Sequence, residues 1–203
     1  MSRTLRMCLG AFTLSLFGCS QGEVADPAAG CLDISALPST PEVSFRNDLM
    51  PIFGLSCIAS SCHDQSAKKA NLILGDPSAC GPMGTNCYDA AAKWSYTFQT
   101  NPADREALVA TVLANLVNVA SATIPGVPRV ASGNAENSFL VDKVAGQQNS
   151  KQYPGPCTNQ DPSRPAGACG SDMPLGTPKG FCGDSPNKVQ AIAQWIQQGA
   201  KNN

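Results

Sequence analysis

Histidine is almost missing from this 203-residue chain: His63 is the only one. Charge is scarce too, with Asp, Glu, Lys and Arg together at 14% and a formal net charge of −1. No run of Lys or Arg occurs, so nothing suggests the clustered basic surface that nucleic acid requires, and no nucleic-acid partner is expected. Aromatics stand at 6%, against 18 glycines and 16 prolines. Such a composition favours turns and loops over a large self-sufficient core. One histidine rules out a bis-histidine metal site within a monomer, and a Ser-His-Asp hydrolase would have to use a ring locked beside Cys62. Gly75, Gly81 and Gly84 stand in turns without the strand, loop and helix setting of a phosphate-binding loop. The length suits one buried domain rather than two.

What the chain does have is cysteine, ten residues of it. Two of them lie in Ser56-Cys57-Ile58-Ala59-Ser60-Ser61-Cys62-His63 and close directly onto the sole histidine. Two cysteines followed at once by histidine is the arrangement of a c-type haem site, in which both sulfurs form thioethers and the histidine reaches the iron as proximal ligand. Four residues separate the cysteines where two are usual, and a Cys57–Cys62 disulfide without haem is the second reading. Zinc on Cys57, Cys62 and His63 lacks a fourth ligand at the level of motif.

The N-terminus reads as a targeting segment. Arg3 and Arg6 precede an apolar run of about ten residues from Met7 to Phe17, too short to span a bilayer. Leu16-Phe17-Gly18-Cys19 closes it and resembles the bacterial lipobox, which implies a signal peptide over 1–18 and lipidation of Cys19. Acyl chains then tether the protein to a membrane surface. Ser20 resembles the outer-membrane sorting type, so the expected place is the periplasmic or cell-surface face of that membrane. Export also means an oxidising compartment, where disulfides persist. With Cys8 removed, Cys19 lipidated and Cys57 and Cys62 on haem, Cys31, Cys80, Cys87, Cys157, Cys169 and Cys182 remain for three disulfides. This parity does not decide for haem, because a Cys57–Cys62 bridge leaves an even set as well.

Residues 19–43 read as a lipid-anchored linker that Cys31 pins, and 44–203 as the domain. Phe45, Leu49, Ile52 and Phe53 recur at helical spacing, with Pro51 ending or bending the helix locally. Asn71 to Asp76 reads as a short extended segment ending in a turn. Cys80 and Cys87 bracket a loop suited to a local disulfide. Leu108, Val109, Val112, Leu113 and Leu116 predict an amphipathic helix from Asp104 to Val117, and Asn137 to Val144 a shorter one. Gln147 to Gly183 is irregular and stapled. Ser185 as N-cap, Pro186 at the first helical position and the stripe Val189, Ile192, Ala193, Ile196 and Ala200 predict a C-terminal helix.

A sixth ligand for iron must come from elsewhere than histidine, and methionine is the leading type. Met50, Met83 and Met173 are available, with Lys68, Lys69 or an open position as the other possibilities. Met173 stands in a downstream loop, with Pro174 beside it to fix the backbone. The order Phe45…Asp48-Leu49-Met50-Pro51-Ile52-Phe53…Cys57…Cys62-His63, then Ala70 to Leu74, Pro125-Gly126, Ser138 to Lys143, Met173-Pro174 and Ile192…Trp195-Ile196…Gly199-Ala200 resembles the class I cytochrome c-like domains of exported bacterial lipoproteins. The resemblance implies an all-α, loop-rich fold with disulfide-stapled insertions at Asp76–Tyr88 and Gln147–Gly183. It implies haem c on Cys57 and Cys62, with His63 proximal and Met173 distal. One-electron exchange with a redox partner protein follows, with no small-molecule substrate and no turnover. The alternative is a disulfide-stabilised lipoprotein of that shape without haem, acting as a structural or binding module.

Overall fold

The computed structural model describes residues 31–58, 62–75, 102–158 and 168–203. The segment read as a signal peptide, Cys19, the spacer residues Ala59, Ser60 and Ser61, and the stretch from Cys80 to Cys87 with Met83, where a local disulfide is expected, lie outside the described residues. Among the described residues there are four α-helices: α1 (Met50–Ser56), α2 (Pro102–Leu116), α3 (Phe139–Val144) and α4 (Pro186–Gln197).

Each helix starts and stops for a local reason. A π-helical turn, Phe45–Leu49, precedes α1, and Ser44 caps it by accepting a bond from Asn47 N. Pro51 sits in the first turn of α1, where its missing N–H costs nothing, so the helix runs on to Ser56. The bend expected at Pro51 falls where the π turn meets α1. In α2, Val109, Val112 and Leu116 are fully buried at spacings of three and four. Asn118 ends that path by adopting a left-handed φ of 57°. Pro186 opens α4, whose Val189, Ile192, Ala193 and Ile196 are wholly buried. Ser185 occupies the N-cap position, but its side chain makes no capping bond. Gly199, with φ +102°, turns the chain after α4 and lets Ala200 N bond to Trp195 O at 2.9 Å.

Phe45 joins the first and last helices. Its ring lies 6.2 Å from Phe53 in an edge-on contact and 5.1 Å from Trp195. All three side chains are excluded from solvent, and each contributes about 2–3 kcal/mol through burial. Leu49, Met50, Leu74, Val109, Val141 and Phe181 extend the same core. A smaller cluster gathers Ile124, Val127 and Phe139 against Cys157 and Cys169, which are disulfide-bonded. Cys31 pairs with Cys182 across 151 residues of sequence. The segment after Cys31 lies along the core through Leu32, Ile34 and Leu37. Gln194 Nε2 on α4 donates to Pro41 O at 2.8 Å, and Val43 N donates to Gln198 Oε1 at the same distance.

The expectation of an all-α, cytochrome c-like fold needs correcting. Most described residues lie outside helices, in loops joined by isolated bridges such as Asp64 with Gly75 and Val117 with Val130. The physical reason lies in the backbone. Seven glycines and six non-glycine residues adopt positive φ, and left-handed residues interrupt an α-helix wherever they occur. The result is a small protein of helices and loops held by disulfides. Of the short extended segment expected from Asn71 to Asp76, Asn71 closes a 3-10 turn, Lys69–Asn71, Leu72 is extended and Gly75 is bridged to Asp64, while Asp76 lies outside the described residues.

Candidate functional site

Cys57 ends α1, and its N–H bonds to Phe53 O at 2.7 Å. The chain leaves the helix there and returns at His63, whose N–H donates to Cys57 O at 3.0 Å. This bond brings Cys57 and His63, the two ends of the motif, together. Cys57 and Cys62 are both partly buried thiols, and Cys31 with Cys182 and Cys157 with Cys169 form disulfides. The two thiols feel each other electrostatically. Burial pushes the Cys57 thiol up to about 12, a Cys62 thiolate adds to that rise, and the ammonium of Lys188 opposes it. Cys57 is therefore a protonated thiol at neutral pH and a weak nucleophile in the closed fold. Lys188 reaches the site from α4 and rests 4.8 Å from the centre of the Phe181 ring.

Residues 64–75 build a mount for the histidine. Asp64 accepts bonds from Ser66 N at 2.9 Å, Ser66 Oγ at 2.8 Å and Ala67 N, forming a side-chain-closed turn. Lys68, Ala70 and Asn71 then take left-handed φ values of 45°, 56° and 55°. Each costs about 1–2 kcal/mol for a residue with a Cβ, so other contacts hold this turn. Its effect is to aim Lys69 O at His63 Nδ1, 3.0 Å away. Leu74 N returns to His63 O at 2.7 Å. Gly75 has no room for a side chain, since a Cβ would stand 2.8 Å from Ile58 Cγ2.

A carbonyl can only accept, so His63 Nδ1 carries the hydrogen in the neutral ring and the lone pair falls to Nε2. Burial holds the imidazole below its ordinary value, with the carbonyls of Lys69 and Leu72 opposing and the charges of Lys143 and Arg129 adding to the drop. His63 is thus a buried, neutral ring whose second nitrogen has the electron pair that a metal ligand uses.

Met173 is partly buried and packs against the same core cluster as Cys57. Its N–H donates to Lys143 O at 2.9 Å. Lys143 therefore connects the two predicted axial residues, binding the Met173 backbone through its carbonyl while its charge reaches His63. The ammonium of Lys143 donates to Cys169 O at 3.2 Å and to Ser171 O, and Gln148 Nε2 donates to Asp172 Oδ1 at 2.6 Å. These bonds fasten the Met173 loop to α3. Met50 is buried in the core. Two large apolar side chains are conspicuously exposed, Leu55 at 61% and Leu175 at 67%. Leu55 stands two residues before Cys57, and Leu175 two residues after Met173. A cavity of about 600 Å³ bordered by Gln148, Tyr153, Cys157 and Cys169 includes none of Cys57, Cys62, His63 or Met173 in its lining.

Arg129, Lys143 and Lys188 are the contributors that sequence reasoning missed. For Arg129 a signal existed: a charge set between Val127-Pro128 and Val130 in a segment otherwise apolar is a candidate for burial. Among the described residues no group of three or more His, Cys, Asp or Glu gathers to hold a metal ion, and no helix is long and apolar enough to cross a membrane. No protein-family model matches this chain, and no curated protein or solved structure gives a significant match.

Proposed function

We propose that the chain is an exported, lipid-anchored carrier of single electrons that holds haem c through thioethers at Cys57 and Cys62. His63 is the proximal iron ligand, Met173 the distal one, and Cys19 the lipidated residue. The observation that carries this reading is the bond from His63 Nδ1 to Lys69 O, at the end of a motif that sets Cys57 and Cys62 before the ring. Iron ligands of this type are held by a carbonyl on one ring nitrogen so that the other is oriented and electron-rich. The residues present fit the group in three respects: two cysteine sulfurs in the motif, a neutral buried imidazole with its lone pair on Nε2, and exposed leucines two residues from Cys57 and from Met173. Leu55 and Leu175 are of the kind that an apolar porphyrin face would cover.

Bound there, haem c supplies an iron centre that accepts and releases one electron. The chain's own residues do the rest. Cys57 and Cys62 anchor, Lys69 O sets the ring of His63, and Lys143 O fixes the Met173 backbone. Lys143 and Arg129 place positive charge near the ring, which disfavours the more positive, oxidised state of a metal held there. His63 and Met173 would hold the group from the chain, and the chemistry it would supply is one-electron exchange with a redox partner protein.

The test is expression of the full chain in cells with a c-type maturation system, followed by acid–acetone extraction and an alkaline pyridine haemochrome spectrum. Haem retained by the protein is the expected result, in a membrane fraction from which C19S releases it. Folded protein without haem, two hydrogens lighter by mass through a Cys57–Cys62 disulfide and produced beside a control cytochrome that is loaded normally, overturns the reading. In loaded protein, M173A removes the weak sulfur-to-iron absorption near about 695 nm. Survival of that band assigns the distal position to another methionine.

A further inference from the structure

We propose that Arg129 is a positioning residue for His63: its buried guanidinium clamps the left-handed turn whose Lys69 carbonyl fixes which ring nitrogen carries the hydrogen. The side chain is 8% exposed. Nη2 donates to Ala70 O at 2.9 Å and to Asn71 O at 3.1 Å, while Nη1 donates to Asn115 O in the last turn of α2. All three acceptors are backbone carbonyls, and no carboxylate pairs with Arg129 among the described residues. A buried cation spent on carbonyls is an unusual use of charge, because burying it carries a desolvation cost that a carboxylate would offset better. Its geometry explains the choice. A planar fork with several donors in fixed directions holds two adjacent carbonyls and a third on another element in a set geometry, whereas an ammonium is a single point of donors on a flexible stem.

The clamped residues are those that need holding. Ala70 and Asn71 take positive φ, a conformation that residues with a Cβ keep only when surrounding contacts impose it. The Asp64 turn secures the first half of the loop, through Ser66 and Ala67 and through Lys68 N on Asp64 O. Arg129 secures the second half, on the two residues that follow Lys69. Its own backbone is pinned on both sides, by Arg129 N on Val119 O at 2.7 Å and Leu140 N on Arg129 O at 2.9 Å. Helices α2 and α3 thus set the clamp, the clamp sets the turn, and the turn presents Lys69 O to His63. Without it the turn relaxes toward ordinary φ, the carbonyl swings away, and the ring loses its preference for hydrogen on Nδ1.

The inference rests on the reading of His63 as an iron ligand, but it is tested separately from haem attachment. Because His63 is the only histidine, a long-range proton–nitrogen correlation spectrum of the ¹⁵N-labelled full chain reports one imidazole without assignment. In haem-free protein at about pH 8, above the ordinary histidine value, hydrogen on Nδ1 is expected in the wild type. R129M is expected to lose that tautomer, and R129K, which keeps the charge without the fork, to lose it as well. V112A removes core volume from α2 without touching the clamp and is expected to keep it. In haem-bearing protein the Nδ1 hydrogen of R129M is expected to exchange with solvent at least tenfold faster than in the wild type. Hydrogen on Nε2 in the wild type, or a folded R129M or R129K with unchanged tautomer and exchange, overturns the inference. If R129M does not fold, R129K and the wild-type spectrum decide it. Absence of haem would overturn the proposed function and leave the tautomer result standing.

Discussion

Removing the Cys31–Cys182 disulfide should destabilise the protein more than removing Cys157–Cys169, and the size of the gap follows from where each bridge sits. The first joins residues 151 apart and the second residues 12 apart. On the chain-entropy account, a cross-link stabilises by restricting the unfolded chain, with a loss that grows as the logarithm of the loop it closes. That gives about 5 kcal/mol for the long loop and about 3 kcal/mol for the short one. The short bridge lies inside the long loop and shortens it by about a tenth, which changes the logarithm by less than 0.1 kcal/mol as an order-of-magnitude figure. Double alanine variants, C31A/C182A and C157A/C169A, avoid burying new hydroxyls. Equilibrium urea unfolding, followed by far-ultraviolet circular dichroism, gives both ΔG and m. Because a released loop lets the denatured state expand, m should rise in C31A/C182A and change little in C157A/C169A. A cost for C31A/C182A at or below that for C157A/C169A, with m unchanged, would refute the entropic argument.

Two further perturbations are set by particular atoms. A Cβ on Gly180 would stand 2.4 Å from Val144 O and 2.7 Å from Met173 O, at φ +57°. G180A should cost about 3 kcal/mol or more, whereas G126A, at φ +81° with open space around it, should cost about 1 kcal/mol from backbone strain alone. Thermal unfolding of the two variants side by side checks this, and equal losses would contradict it. Asp142 supplies a pH dependence of unusual sign. It is 3% exposed, bonded to Lys151 Nζ at 3.0 Å and Tyr153 Oη at 2.9 Å. Burial raises its carboxyl, Lys151 and Tyr153 oppose the rise, and Glu136 adds to it. A carboxyl raised on folding binds its proton more tightly in the native state, so its contribution is most favourable below about 3.9 and is lost as pH rises through the folded value. The stability of the wild type minus that of D142N should therefore fall between acid and neutral pH, and a difference that rises would show the charge to be favoured by its surroundings.

The helices were legible because their causes are local. Val189, Ile192, Ala193 and Ile196 after a proline, or Val109, Val112 and Leu116 at three and four, state a buried face by spacing alone. The two cysteines and the histidine were legible as a motif for the same reason: they stand close together in sequence. What escaped depends on partners far away in the chain. Nothing in Lys68, Ala70 or Asn71 announces a left-handed backbone, since glycine or asparagine is the usual signal and only one of the three qualifies. That turn exists because Arg129, some 58 residues later, donates to it. The pairing of Cys31 with Cys182 is likewise absent from local sequence, which yields cysteine counts but no connectivity. The all-α expectation failed at this same level, because helical stripes were visible and the loop backbone between them was not.

Asn203 gives the architecture an order in time. Its carbonyl accepts from Arg46 N at 3.0 Å and from Ser44 Oγ, and its side-chain oxygen accepts from Phe45 N at 2.9 Å. The start of the first helical unit is thus completed by a residue synthesised about 160 positions later, as Cys31 is completed by Cys182. Until Trp195 has been synthesised, the ring of Phe45 has no indole to meet and α1 has no α4 to pack on. Cys57, which the finished core turns into a sluggish thiol, remains open to water and to reagents throughout that interval. Covalent modification of Cys57, where it occurs, is therefore favoured before α4 packs on α1.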